Sequence, residues 1–187
     1  MENINSFYLL ASPLLGGLLA LLAALWAARV QTEKMFEKEK QLMELKDKKR
    51  RNTAILGVIS ELIDNHRIVK KTSWNHPIKF AVENWDNYKG DLFYEIADHE
   101  VFHAFSESYS IMKKLNSIAN AVIHTNDYGS GRFAKIYGNH LTELHEKIPE
   151  TLVRFAESNE GKDLLYSMPS IKKQINEVTQ NKKPHNR

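Results

Sequence analysis

Apolar positions fall into three regimes along this chain. Between Phe7 and Val30 they are almost unbroken, FYLLASPLLGGLLALLAALWAARV, with no charge before Arg29. As a helix rising about 1.5 Å per residue, this stretch is roughly 36 Å long, enough to cross a hydrocarbon core of about 30 Å with some tilt. Between Gln31 and Asn52 the pattern thins to a seam of Met35, Leu42 and Leu45 on heptad spacing. That run is rich in Lys, Glu and Arg and lacks Gly and Pro. It predicts a charged helical stalk, with Glu44–Lys48 and Asp47–Arg51 as i,i+4 pairs in the favourable order. From Ala54 onward the apolar residues step by three and four, the period of helices that bury one face.

Within that third regime, Ile55, Val58, Ile59, Leu62, Ile63 and Val69 mark a helix over 54–69, with Thr53 placed to cap it. Asn65 and His66 fall on or beside its stripe and read as hydrogen-bonded core polar groups. Residues 71–90 carry aromatic bulk at Trp74, Phe80, Trp85 and Tyr88 without a firm period, and Pro77 is placed to open a short helix. Such a segment caps the end of a bundle or forms a binding surface. Asp91–Ile123 reads as one long helix on a seam from Phe102 to Val122. Arg132–Ile148 is the next, broken or restarted at Pro149, with Leu152 and Phe155 continuing the seam to a stop at Asn159-Glu-Gly161. A short piece near Leu164, then Pro169 and a weak helix over 170–179, precede a free tail. No stretch alternates with period two. The expected fold is all-α: an N-terminal segment 1–6, a transmembrane helix 7–30, a stalk 31–52, an antiparallel helical bundle 53–180 and a tail 181–187.

The flanks of the apolar run separate a retained anchor from a cleaved signal. The first six residues, MENINS, carry no Lys or Arg, and Leu25-Trp26-Ala27-Ala28 offers no A-x-A cleavage pattern, so the run reads as an anchor. Nine Lys and Arg lie between Arg29 and Arg51, against none before the span. The positive-inside bias therefore places the C-terminal side in the cytoplasm and the N-terminus outside. Tyr8 and Trp26 sit where aromatic rings favour the headgroups. Gly16, Ala20, Ala24 and Ala28 recur every fourth residue, a ridge that lets a second helix approach and favours a homo-oligomer.

Composition changes this picture little. Hydrophobic content of 42% and charged content of 26% are ordinary for a folded chain, and the net charge of +3 argues for no nucleic-acid partner. The chain has no cysteine, which excludes disulfides, thiolate zinc sites and cysteine nucleophiles. No phosphate-binding P-loop and no G-x-S-x-G elbow are present.

A single N-terminal span and a charged stalk are followed by ISELIDNHRIV, WDNYKGDLFYEI and FSESYSIMKKLN. In these features the chain resembles uncharacterised bacterial membrane-anchored helical proteins grouped as domains of unknown function. The resemblance implies a bacterial inner-membrane architecture and brings no catalytic residues. One sharper motif stands apart: His99-Glu100-Val101-Phe102-His103 is H-E-x-x-H. Two imidazoles four residues apart share a helix face, so His99 and His103 are candidate zinc ligands and Glu100 the candidate catalytic base. In these residues alone the chain resembles the zincin metalloproteases. Catalytic zinc takes a third protein ligand. His140, Glu143 and His145 are the candidates, and the metzincin extension fails because Ser106 and Tyr109 stand where Gly and His belong. The plainer alternative makes His99, His103, Ser106 and Ser110 the wetter side of a core helix.

The sequence thus points first to a membrane-anchored interaction, scaffold or regulatory protein without a cofactor. A membrane-tethered zinc-dependent hydrolase using His99, Glu100 and His103 is the alternative.

Overall fold

The computed structural model describes residues 2–72, 77–125 and 131–180, with the side chains of 2–14, Glu95, His124 and Thr125 excepted. Trp74, residues 126–130 and residues 181–187 therefore lie outside the described residues. Every regular element described is helical: α1 (Glu2–Lys71), α2 (Glu83–Glu95), α3 (His99–Thr125), α4 (Gly131–Glu157), α5 (Asn159–Ser167) and α6 (Pro169–Gln180).

The chain divides into two units, 1–49 and 50–187, three residues before the stalk boundary expected at 52/53. In the first unit, Leu15, Leu18, Leu19, Leu21, Leu22, Leu25 and Trp26 are each more than half exposed. Among the described residues this is the one helix long and apolar enough to cross a membrane. Its most apolar window has a mean hydropathy of 1.4, and none of it is buried within the chain. The stalk residues Met35, Leu42 and Leu45 are exposed as well. Thr53 does not begin a helix. It lies inside α1, because the Gly- and Pro-free run before it supplies strong helix formers with nothing to stop them.

The second unit is built on a core from α1, α3 and α4 that includes Ile55, Ile59, Leu62, Phe105, Tyr109, Met112, Leu144, Ile148, Leu152 and Phe155. Helices α3 and α4 make the most extensive helix pair. Their contacts run in reverse order: Glu107 meets Lys147, Ser108 meets Thr151 at 2.9 Å, and Glu100 meets Arg154 at 4.0 Å. These two helices therefore run antiparallel. The Thr151 hydroxyl donates to the Ala104 carbonyl at 3.2 Å, so the buried Ser108–Thr151 pair is internally satisfied.

Further helix boundaries differ from the expected ones. The single helix over 91–123 is two helices, because the chain turns at Ile96-Ala97-Asp98. Asp98 accepts hydrogen bonds from the Glu100 and Val101 amides, and Glu160 accepts from the Ala97 amide. Pro149 neither ends nor restarts α4; it is buried inside it. The flanking seam of Leu144, Ile148, Leu152 and Phe155 holds the helix together across the one backbone bond that proline removes. α4 does end at Glu157, beside the expected stop, and Asn159-Glu-Gly161 then opens α5, whose cap is Ser158, accepting from the Gly161 amide at 3.0 Å.

Pro77 also opens no helix. Residues 77–82 form a non-helical strap between α1 and α2, and side chains pair with the backbone that no helix or sheet satisfies. The Tyr137 hydroxyl accepts from the Ile78 amide at 3.0 Å and donates to the Ile78 carbonyl at 3.1 Å. Asn116 pairs with both backbone groups of Phe80, at 2.7 and 2.8 Å. Asn65 does the same for Ala81, at 3.0 and 2.7 Å. One side chain each from α4, α3 and α1 thus pairs with the backbone of Ile78, Phe80 and Ala81, polar groups that neither helix nor sheet satisfies. Phe80 is buried beneath it. After the strap, Glu61 of α1 accepts from the Asn84 and Trp85 amides at 2.9 and 3.4 Å and so caps α2 from another helix.

Candidate functional site

The turn at 96–98 moves the H-E-x-x-H motif to the first turn of α3, with His99 as its first residue. His99 and Glu100 are exposed, and the His103 ring lies 3.4 Å from Glu107, itself hydrogen-bonded to Lys147. Across from Glu100, α4 places a cation, Arg154, at 4.0 Å. By the antiparallel register, His145 lies nine residues from Arg154 along α4, roughly 13 Å of helix. His140 and Glu143 lie farther still and pair with each other at 3.0 Å. No three His, Asp or Glu side chains among the described residues gather as a metal-holding group. Among the described residues Glu107 is the carboxylate beside His103, and it does not complete such a group with the two imidazoles.

Asn65 and His66, adjacent in sequence, have opposite fates. Asn65 is fully hydrogen-bonded and also donates to Met112 sulfur at 3.1 Å. His66 is 2% exposed and neither ring nitrogen has a partner; its ring stacks on His145 with centroids 5.5 Å apart. Burial, then the nearby charges of Lys70 and His145, lower its pKa from 6.5 to about 4. The native protein therefore holds this imidazole neutral. The unfolded chain protonates it below pH 6.5, whereas the native chain does so only near pH 4. Its contribution to stability is present above pH 6.5 and is lost as pH falls towards 4, by up to roughly 3 kcal/mol. Urea unfolding of the full chain in detergent at pH 7 and pH 5 checks this: His66→Leu should reduce the loss between the two, whereas an unchanged loss would contradict it.

Among the described residues, a face between α2 and α3 gathers several charged and hydroxyl groups over an aromatic floor. It encloses a groove of about 560 Å³. Trp85 and Phe102 form its floor, with ring centroids 5.4 Å apart, and Trp85 stacks flat on Tyr109 at 4.9 Å. Ser106, Ser110, Lys113, Lys114 and Ser117 reach it from α3 and Lys89 from α2. On α3 these residues recur at helical spacing and form one stripe. Beside the groove, Asp86 Oδ1 accepts from both Lys89, at 3.1 Å, and Lys113. The Lys113 hydrogen bond is the main cause that holds the Asp86 carboxyl below the usual carboxylate range. Sequence reading singled out Ser106 and Ser110 only as a wet face and missed the groove. Its lysines sit on two helices that the sequence does not show to be neighbours.

A second hollow, of about 590 Å³, lies between the end of α1 and the first turns of α4 and carries, among the described residues, one charged side chain, Lys135. No protein-family model matches the chain, and no curated protein or solved structure matches it either.

Proposed function

We propose that this chain is a membrane-tethered interaction module: a single-pass anchor over 7–30, a charged helical stalk, and a helical bundle that acts by binding. The supporting observation is the exposed leucine run of α1. Seven large apolar side chains on one helix, each more than half exposed, have no partner surface among the described residues and fit hydrocarbon. The head favours binding over catalysis because its acidic and imidazole groups are scattered, whereas its cations and hydroxyls converge on one groove. The nine basic residues from Arg29 to Arg51 favour a cytoplasmic head. The ridge of Gly16, Ala20, Ala24 and Ala28, with exposed Met35, Leu42 and Leu45 below it, favours self-association through anchor and stalk.

The absence of cysteine allows the orientation to be tested without background. In intact cells, a membrane-impermeant maleimide should label Ser6→Cys and spare Ser170→Cys until the cells are opened. Labelling of Ser170→Cys in intact cells would reverse the orientation.

A further inference from the structure

We propose that the α2–α3 groove is a binding site for a phosphomonoester group attached to an apolar moiety. Two ammonium groups, Lys89 and Lys113, already converge on a single carboxylate oxygen of Asp86, so the fold aims both at one oxyanion position. Lys114 lines the same groove and has no charged partner among the described residues. Three ammonium groups against one carboxylate leave two positive charges. A phosphomonoester, at about −1.5 to −2 near pH 7, matches that excess where a single carboxylate does not.

The hydroxyls supply the second observation. Thr32 and Thr142 return their hydroxyls to the carbonyl four residues back, the ordinary outlet for such a group on a helix. Ser106, Ser110 and Ser117 make no hydrogen bond among the described residues, and all three face the groove. They add donors for the oxygens of a tetrahedral anion. At the end away from Lys113 and Lys114, partly exposed Phe102 over Trp85 offers an aromatic surface. The groove is thus cationic at one end and apolar at the other. Both a phosphorylated soluble metabolite and a phosphomonoester lipid headgroup present this chemistry. The assignment goes beyond the membrane-tether reading and can fail without it.

The test is calorimetric titration of the full chain, held in phosphatidylcholine nanodiscs, with phenyl phosphate as the probe. Saturable binding is expected, and Lys113→Gln/Lys114→Gln should weaken it by about tenfold or more. Asp86→Asn should tighten it by roughly threefold, because the anion then no longer competes for Lys89 and Lys113. A gain on removing a surface charge is not what a merely damaged fold would produce. Adding phosphatidic acid to the nanodisc separates the sources: a raised apparent Kd for phenyl phosphate supports the lipid headgroup, and an unchanged one supports a soluble ligand. No saturable binding, or binding indifferent to both variants, overturns the proposal.

Discussion

Gly161→Ala should cost the head unit on the order of 3 kcal/mol or more, a large effect for a single methyl group. A β-carbon at this position would stand 1.7 Å from the Phe155 carbonyl oxygen and 2.7 Å from its carbon, both backbone atoms with little freedom to yield. The close approach follows from the tight junction of α4 and α5. Ser158 donates its hydroxyl to that same Phe155 oxygen at 2.7 Å and accepts from the Gly161 amide, so the cap pulls the two segments together. Relief by moving the backbone would break the cap and lift Leu164 and Leu165 from the core. Thermal unfolding of the full chain in mild detergent, followed by near-UV circular dichroism, should show a sharply lowered midpoint. A midpoint within a degree or two of the parent would contradict the tight-junction account.

Asn116→Ala should cost about 2–4 kcal/mol, and Asn65→Ala at least as much. Each removes a side chain that pairs with both the amide and the carbonyl of one strap residue, part-buried groups whose lost partners cost up to about 1–3 kcal/mol apiece. Asn65 is wholly buried, so its loss also leaves a cavity beside Met112. The same substitution at exposed Asn139 should stay within about 0.5 kcal/mol. Urea unfolding with a common slope separates these cases. Equal stability of the Asn116 and Asn139 variants would show that the strap does not depend on its side-chain ladder.

The contrast between seams and straps shows what the chain's pattern reveals. The stripe from Ile55 to Val69 and the seam from Phe105 to Val122 are buried where the three-and-four spacing puts them, because one helix face buries as a unit. The break at 96–98 is hidden because the apolar period continues through it; Asp98, a good capping residue, was its only local signal. Pro149 misleads in the opposite direction. A local propensity penalty was outweighed by a buried seam on both sides of it.

The rest was not legible because it rests on long-range pairs. The strap's partners lie 16, 36 and 59 residues away, and nothing local distinguishes Asn65, which clamps a backbone, from His66, which is buried without a partner. For the site, the H-E-x-x-H motif was fully visible, yet its environment was not: Arg154 beside Glu100 follows only from the register of α3 on α4. The α2–α3 groove was invisible for the same reason, since Lys89 and Lys113 meet only through Asp86.

The central claim is that the exposed leucine run of α1 is a membrane anchor and the unit from Arg50 onward a separately folded head. Alkaline carbonate extraction of membranes, applied to the full chain and to residues 50–187, tests it most directly. The account predicts that the full chain stays in the pellet while the truncated chain is soluble, helical and cooperative in unfolding. Release of the full chain into the supernatant would contradict it.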